Sequence, residues 1–457
     1  MVERLRHWTV ADRTIRKLGV VVGVVAPVMI VVFAARGMSM ESFQRWHGDV
    51  EYYHRVSSGL LAGLIPYVDF PFEYPPFALV PMSLPQCCSM PLSVATYASR
   101  FVIEMAIVAG LVAALLWDVA SPDRFRRLRV ITLNLVLVVA AAPILPWRFD
   151  LVPAAMSLAA VVLTLQRRSG SAGLVLGIAI ATKVYPVVLL PLIAMHVRAR
   201  DGWSGVRSLF GGAVLAVGIS ILPFVFVDAL APLSLFQFHL NRGLEIESLP
   251  AGLIQLGQLL GWTDARPIHT FSSWQLDSTA SHAFLATQPA IFILAYAALI
   301  GLAYRRYANA RPNDADLPPT LIALTVAALL VFILGNRVFS PQYVVWALPF
   351  APLLPWRQAA TYAALCALTT ALYPGLFPDL LAGDLLPIVI LNLRNLLAAT
   401  LTIWLVLSAI RSGPRVHRSR PSRSWKDGKV ADRLRRRVAP GTQAAPLLRR
   451  TAGRGAE

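Results

Sequence analysis

The sequence is poor in charged residues, in cysteine and in motifs that bind nucleotides or metals. Asp, Glu, Lys and Arg make up 14% of its 457 residues, against roughly 25% in soluble domains, which argues against an ordinary soluble protein. Its three cysteines give no disulfide framework. No Cys/His set has the spacing of metal ligands, and no glycine-rich phosphate loop is present. We therefore expect no nucleotide on the cytoplasmic side and predict no cofactor, leaving the use of a divalent metal open.

Apolar residues occur instead, in runs long enough to cross a membrane. They make up 56% of the chain, and the mean hydropathy is +0.61. Because a spanning helix needs about 20 apolar residues, the runs predict an all-α integral membrane protein. About twelve spans are expected, at 18–35, 97–117, 130–146, 150–166, 171–182, 184–197, 208–227, 283–304, 319–335, 341–356, 358–374 and 386–410. The short runs at 171–182 and 184–197 are either broken helices or one helix kinked at Pro186.

The distribution of basic residues predicts the topology. With the N-terminus inside, the even-numbered connections carry arginine clusters, such as those at 124–129 and 198–207, whereas the odd-numbered connections carry isolated cations. By the positive-inside rule both termini are then cytoplasmic. The pattern is the one expected of a multi-pass protein in a bacterial inner (plasma) membrane.

This topology divides the chain into three parts. A cytoplasmic N-terminus (1–17) precedes a transmembrane domain (18–410). Its two long outer loops, about 36–96 and 228–282, are expected to contain short interfacial helices at Phe77–Pro85 and Gly252–Leu260. The tail, 411–457, holds fourteen Lys or Arg residues against three acids. We expect it to be disordered and either attracted to anionic lipid headgroups or a topology-fixing tail without a specific partner.

The first outer loop is acidic and aromatic. Asp49 stands close to Tyr52, and Glu73 and Tyr74 precede two prolines. Carboxylates beside aromatic rings suit the binding of a sugar and the removal of a proton from one of its hydroxyls. Asp49 is therefore a candidate general base, and Glu73 a candidate acceptor of a sugar hydroxyl. The alternatives are a solvated acid that caps a turn and a rigid, proline-fixed entry into an interfacial helix.

Isolated cations stand at outward helix junctions. Lys183 lies between two apolar runs, where a charge is costly and usually faces a cavity or an interface. It is expected to bind phosphate, the alternative being a snorkelling lysine. Arg337 is suited to a bidentate phosphate contact, with Gln342 and Tyr343 opening the next helix. The alternative there is an ordinary helix hairpin with an interfacial aromatic belt that includes Trp346.

Four further polar residues are candidates for a role. Arg394 lies deep in the last span and requires an anionic partner, either a ligand phosphate or a buried carboxylate. His239, in the second outer loop, is a proton handler, a phosphate contact or a plain loop residue. Arg148 and Asp150 are expected to form a local surface pair of little energetic weight.

Together these residues suit sugar transfer outside the cytoplasm. The cations suit a lipid-linked phosphate, and the acids and aromatic rings suit a sugar acceptor. Nucleotide sugars are not supplied there, so the donor must be membrane-borne, such as a polyprenyl-phosphate sugar. The expected partners are this donor, a lipid-linked or glycan acceptor and membrane lipids, with no nucleic acid. The alternatives are a twelve-helix secondary transporter, whose typical half-to-half repeat is not visible, and a non-catalytic or flippase partner in envelope glycan assembly.

Short motifs in a fixed order give the chain a family resemblance. They are Gly48-Asp49 with Tyr52, Pro66-Tyr67 with Tyr74-Pro75-Pro76, Thr182-Lys183-Val184-Tyr185-Pro186, Arg242-Gly243-Leu244-Glu245-Ile246-Glu247-Ser248, and Val338-Phe339-Ser340-Pro341-Gln342-Tyr343 with Trp346. On these motifs, over about 18–410, the chain resembles the GT-C superfamily of polytopic glycosyltransferases. Within it the chain is similar to glycosyltransferase family 87, the polyprenyl-phosphate-mannose-dependent α-mannosyltransferases.

The resemblance implies an inverting hexosyltransferase that moves a sugar, expected to be mannose, to a cell-envelope glycolipid or glycan. Asp49 would be the catalytic base. The residues expected to contact the donor phosphate are Lys183, Arg337, Arg394 and His239. The residues expected to bind substrate are Tyr52, Glu73, Tyr74, Tyr185, Arg242, Glu247, Gln342 and Tyr343.

Overall fold

The computed structural model describes residues 23–35, 48–87, 92–120, 123–228, 230–311 and 314–411, and these are mostly helical. The α-helices are α1 (Gly23–Ala35), α2 (Gly48–Leu61), α3 (Leu79–Ser83), α4 (Val94–Val119), α5 (Arg124–Ala140), α6 (Leu151–Leu165), α7 (Ser169–Thr182), α8 (Leu190–Val225), α9 (Ser234–Asn241), α10 (Leu249–Leu259), α11 (Thr279–Ala308), α12 (Leu317–Leu334), α13 (Val344–Ala347), α14 (Trp356–Thr370), α15 (Phe377–Ala382) and α16 (Leu385–Arg411). Two strands, β1 (Arg266–Thr270) and β2 (Ser273–Asp277), lie between α10 and α11. The predicted N-terminal segment 1–17 and the basic tail beyond Arg411 lie outside the described residues.

Among the described residues, five helices are long and apolar enough to cross a membrane: α4, α8 with the 3₁₀ turn before it, α11, α12 and α16. Three shorter apolar helices, α1, α6 and α7, accompany them. Helices suit this setting because each pairs its own backbone polar groups without water. The apolar stretch of α12 is 72% buried inside the bundle, whereas that of α11 is 6% buried. The helical membrane architecture is confirmed, and the number of twelve spans stays a prediction.

The segment predicted as a continuous span at 341–356 is broken, and that prediction was wrong. It forms two 3₁₀ turns, Pro341–Tyr343 and Ala351–Leu353, around the four-residue helix α13. Its prolines, which remove backbone donors and interrupt helices, are Pro341, Pro349, Pro352 and Pro355. Irregular backbone is tolerated at membrane depth where protein covers it, and Trp346 and Phe350 in this segment are almost fully buried.

Small residues bring α7 and α8 into close contact. A Cβ atom added at Gly173 would collide with the carbonyl oxygen of Leu209, and one at Gly177 would lie 2.6 Å from that of Ala213. Small residues four positions apart let two helix backbones approach in this way, so that van der Waals packing holds them together in lipid. The contact fixes α7 and therefore the position of Lys183, which follows its last residue.

The helix α8 changes direction at Gly202, whose φ of 71° and ψ of −164° are not helical. A positive φ is readily adopted by glycine because it has no Cβ. The two parts of α8 correspond to the predicted spans at 184–197 and 208–227, and the basic cluster between them lies at this kink.

The first outer loop contains a helix that the sequence patterns did not predict. Asp49 lies in the first turn of α2 rather than in an irregular loop. Helical turns also occupy Pro76–Gln86, close to the expected interfacial helix at Phe77–Pro85, and α10 occupies the place expected for Gly252–Leu260.

The second outer loop contains an antiparallel β-hairpin, which corrects the expectation of an all-α protein. Its turn consists of two residues, Phe271 and Ser272, both with positive φ, as hairpin turns of type I′ require. Asn and Gly usually occupy such positions because they tolerate this conformation. With Phe and Ser there, no turn motif marked the hairpin in the sequence.

Gly173→Ala is expected to destabilise the protein by about 1–3 kcal/mol, because the added methyl group must push the α8 backbone away. The matched control is Gly211→Ala on α8, where an added Cβ meets nothing within 4 Å and helix propensity favours alanine by up to about 1 kcal/mol. Thermal unfolding of the purified variants in one detergent measures both effects. Equal stability of the two variants would contradict the close approach of the helices.

Candidate functional site

Two neighbouring cavities share a wall: three residues, Glu73, Tyr74 and Arg242, line both of them. The acidic cavity, as we name the first, has a volume of about 260 Å³. Its other lining residues include Asp49, Arg148, Glu245, Glu247, His269, Trp274, Gln342, Tyr373 and Phe377. The basic cavity has a volume of about 230 Å³. Its other lining residues include Lys183, Tyr185, His239, Arg337, Tyr343 and Trp346.

Asp49 lines the acidic cavity and forms an ion pair with Arg148. It stands in the first turn of α2, where the helix dipole favours a negative charge. Arg148 follows the 3₁₀ turn Leu145–Trp147 and lines the same cavity. The Asp49 side chain is 36% exposed. A ligand can therefore still reach the carboxylate.

The predicted local pair between Arg148 and Asp150 does not form, and that prediction was wrong. Arg148 has extended backbone, with φ −132° and ψ 123°, whereas Asp150 is already helical at the start of α6, with φ −53° and ψ −27°. Their side chains consequently meet different partners: Arg148 reaches Asp49, and Asp150 is buried.

Asp150 lies beneath the basic cavity and holds two of its side chains. Its Oδ1 accepts a hydrogen bond from Lys183 Nζ at 2.7 Å and another from Trp346 Nε1 at 2.6 Å. Because Asp150 is 1% exposed, its ion pair with Lys183 is shielded from solvent. Lys183 is the only lysine between residues 18 and 425. Its charge is tolerated between two apolar helices because a carboxylate faces it.

Aromatic rings surround the Lys183 ammonium group. Trp346 stacks between Tyr185 and Tyr343, with ring centroids 4.1 and 3.9 Å away. Lys183 Nζ lies 5.4 Å from the ring centroid of Tyr74 and 5.8 Å from that of Trp346, within the range of cation–π attraction. Trp346 is 2% exposed, so the alternative in which it is an interfacial belt residue is excluded.

Arg337 and His239 complete the basic cavity, with part of their hydrogen-bonding capacity already used. Arg337 donates to the carbonyl oxygens of Leu240 and Arg242, each at 2.9 Å, and a guanidinium has five N–H donors in all. His239 Nε2 lies 3.1 Å from the carbonyl oxygen of Glu73. Burial, reinforced by Arg242, lowers the pKa of His239 to about 4. The predicted contact of His239 with a donor phosphate stays a prediction.

Arg394 is absent from the lining of both cavities, as far as the described residues show. It is fully buried, stacks on the ring of Phe339 at 3.8 Å and pairs with Glu247 at 3.4 Å. It also donates to Asn395 Oδ1 at 3.0 Å. Of the two partners expected from the sequence, the structure provides the buried carboxylate, and the geometry does not support the predicted contact between Arg394 and a donor phosphate.

Buried carboxyl groups form another part of the lining of the acidic cavity. Glu245 accepts hydrogen bonds from Phe339 N–H at 2.6 Å and from the Ser340 hydroxyl at 2.5 Å, which ties the second outer loop to the 335–340 connection. Burial raises the pKa of Glu245, against the lowering effect of Arg242. Burial also raises the pKa of Glu73. Both carboxyl groups line the acidic cavity.

The remaining predicted residue, Tyr52, lies in a neighbouring third cavity of about 760 Å³ that Glu73 also lines. Its ring centroid lies 6.3 Å from that of Tyr74. Tyr52 is therefore a neighbour of the shared wall. It is not among the described residues that line the acidic or the basic cavity.

Metal ligation finds no support in the described residues, which contain no group of three or more His, Cys, Asp or Glu side chains arranged to hold an ion. The prediction that no cofactor is needed is not tested by this observation.

Sequence reasoning missed three parts of the site. Asp150 was assigned to the surface, although an acid directly before an apolar helix was a usable signal. Trp274 and His269 lie on the unpredicted hairpin. Tyr373 lies at the end of the run 358–374 that was assigned to a span, and Phe377 follows it closely; aromatic residues do not stand out there.

The sequence pattern of glycosyltransferase family 87 matches residues 72–341, more than half of the chain. The chain belongs to glycosyltransferase family 87. This match contains most of the site described above, from Glu73 to Pro341, and makes the protein a membrane glycosyltransferase, in line with the family resemblance of its motifs. Asp49 lies before the matched region, so its predicted role depends on geometry and on the resemblance.

The family 87 protein also has a distant structural neighbour. This is the oligosaccharyltransferase of Archaeoglobus fulgidus, crystallised with a tethered acceptor peptide that contains the NVT sequon, at 12% identity and a TM-score of 0.40. The match covers 93% of this chain and 60% of the oligosaccharyltransferase, so the chain spans less than two thirds of that protein's length. A comparison with curated proteins finds no match.

Asp150→Asn is expected to destabilise this glycosyltransferase by about 3–5 kcal/mol, because it leaves Lys183 buried without a counter-charge. The control is Arg167→Ala, which breaks the 3.4 Å pair with Asp201 at an arginine side chain that is 55% exposed, and should cost at most about 1 kcal/mol. Thermal unfolding in detergent compares the two. A loss at Asp150 no larger than at Arg167 would show that the Asp150 pair is not shielded.

Proposed function

We propose that this family 87 glycosyltransferase moves a sugar, mannose by family expectation, from a polyprenyl-phosphate donor to a cell-envelope glycolipid or glycan. Transfer would take place on the outer face of a bacterial inner membrane, with residues 18–410 as the catalytic domain and the basic tail 411–457 drawn to anionic headgroups. The observation that carries the proposal is the wall shared by the two cavities. Side chains suited to a phosphate line one side of it, and side chains suited to a sugar hydroxyl line the other.

The proposed reaction inverts the configuration of the transferred sugar. The acceptor oxygen forms a bond to the anomeric carbon from one side, while the bond from that carbon to the phosphate oxygen breaks on the other. Asp49 takes the proton of the acceptor hydroxyl, and the lipid phosphate leaves with the electron pair. The transferred sugar would lie along the shared wall formed by Glu73, Tyr74 and Arg242, because it must bridge the donor and acceptor cavities.

The basic cavity is suited to the donor phosphate. Lys183, Arg242 and Arg337 line it, and cations held in place before the reaction stabilise the charge that develops on a leaving phosphate. Its lining also includes the apolar residues Leu235 and Phe236, which suit the hydrocarbon next to that phosphate. These two properties together favour a lipid-linked donor over a soluble one.

Asp49→Asn is expected to leave the protein folded but to lower transfer from polyprenyl-phosphate mannose by at least about 100-fold, because general-base catalysis contributes roughly 10²–10⁴. The assay uses membranes that contain the protein, the radiolabelled donor and a lipid extract of the source organism. Glu51→Gln is the matched control, since Glu51 is an exposed acid of the same helix. Near-wild-type transfer by Asp49→Asn would remove Asp49 as the base.

Lys183→Gln is expected to lower kcat/KM for the donor by about tenfold or more, the weight of a charge-assisted hydrogen bond, with little change in KM for the acceptor. The double variant Asp150→Asn with Lys183→Gln replaces the buried ion pair by two amides. It should regain stability without regaining donor use. If stability and donor use return together, Lys183 acts by supporting the fold and not by binding phosphate.

A further inference from the structure

The β1–β2 hairpin is fixed to the chain segment that carries the acidic residues of the second outer loop. Ile246 N–H donates to the carbonyl oxygen of Trp274 at 3.0 Å, and Glu245 pairs antiparallel with Gln275. The Gln275 side chain accepts from Gly243 N–H at 3.0 Å. These contacts make the hairpin a fixed wall of the acidic cavity, because β2 is paired with β1 on one edge and with residues 244–246 on the other.

This wall presents aromatic rings to the cavity that contains Asp49. His269 and Trp274 are direct partners across β1 and β2, with ring centroids 5.1 Å apart. Tyr373 and Phe377 line the same cavity, with ring centroids 5.4 Å apart. Aromatic faces pack against the apolar C–H face of a pyranose ring, and carboxyl groups bind its hydroxyls.

The size and the charge of the acidic cavity limit the kinds of ligand that it can bind. Its volume of about 260 Å³ is just below the roughly 300–1,000 Å³ of pockets for drug-sized molecules, so it has room for a sugar ring and not for an extended glycan. Four carboxyl groups and two guanidinium groups line it. Of these cations, Arg148 is paired with Asp49 and Arg242 is shared with the basic cavity. Arg242 lies near the carboxyl groups of Glu73 and Glu245, so both cations already have carboxyl neighbours and the cavity favours an uncharged ring over one that carries a phosphate or a carboxylate.

We propose that the acidic cavity is the acceptor site and that it takes one neutral pyranose ring, stacked on Trp274 of the hairpin. The terminal sugar of the acceptor is thus an uncharged hexose, and the hairpin determines which acceptors are accepted. This inference rests on the proposed function, since it assigns the second substrate of the same reaction. It goes beyond the proposal by naming a recognition residue, Trp274, and a substrate class.

The test measures sugar binding without requiring transfer. The protein is placed in nanodiscs of phosphatidylcholine and phosphatidylglycerol, because common sugar-based detergents would compete for the site. Saturation-transfer NMR then compares methyl α-D-mannopyranoside with mannose 6-phosphate, which carries the same ring and a negative charge. The wild type is expected to give ring-proton signals for the neutral mannoside and much weaker signals for the phosphorylated sugar.

Variants at Trp274 separate stacking from simple packing. Trp274→Leu keeps apolar volume against the neighbouring side chains, and it should weaken mannoside binding about fivefold, as expected for the loss of one aromatic contact. Trp274→Phe should retain binding. Trp262→Leu is the control, because Trp262 belongs to the same loop but is 77% exposed. Unchanged binding in Trp274→Leu, stronger binding of the phosphorylated sugar, or no mannoside signal from the wild type at millimolar concentration would each overturn the proposal.

The Asp49→Asn variant distinguishes this inference from the proposed function. It should retain measurable mannoside binding, because the stacking on Trp274 remains and an amide can still hydrogen-bond a hydroxyl, while failing to transfer sugar. Transfer by Asp49→Asn together with loss of binding in Trp274→Leu would disprove the base and keep the acceptor site. Loss of transfer by Asp49→Asn together with full binding in Trp274→Leu would keep Asp49 as the base and disprove the acceptor site at Trp274.

Discussion

The buried ion pair between Asp150 and Lys183 constrains the rest of the site. Burying a carboxylate and an ammonium group away from water is costly unless the two charges face each other. Here the pair also binds the indole of Trp346, so the start of α6, the end of α7 and the broken segment 341–353 must meet at one point. The aromatic stack around Trp346, and the basic cavity that it lines, take their positions from that meeting.

The features best predicted from the sequence were charged residues within apolar runs. Lys183 and Arg394 stood out because a membrane makes an unpaired charge costly, and both side chains do have carboxylate partners. The sequence did not identify those partners, because Asp150 lies far from Lys183 in the chain and Glu247 lies far from Arg394. Arg148 and Asp150 illustrate the same limit: two neighbours in sequence suggested a pair, and backbone direction sent each to a distant partner.

Local backbone features were predicted less well, for two different reasons. The prolines from Pro341 to Pro355 indicated an interrupted helix. The high hydropathy of the whole segment nevertheless led to the prediction of a continuous span. The hairpin had no usable signal, because Phe271 and Ser272 occupy turn positions that normally select Asn or Gly. Only the three-dimensional structure brings Trp274 of the hairpin into the same cavity as Asp49. Long apolar helices were the opposite case, since their length and composition are sufficient to define them.

Arg242 is a residue through which ligand binding in one cavity can affect ligand binding in the other. Its side chain faces both cavities, and its carbonyl oxygen is held by Arg337. A ligand that moves this residue in one cavity alters the affinity of the other, and such coupling is reciprocal by necessity. If the two cavities take the donor and the acceptor as proposed, the affinities for these two substrates would not be independent quantities. A change in preference for one substrate would then be accompanied by a change in affinity for the other, even without new contacts to it.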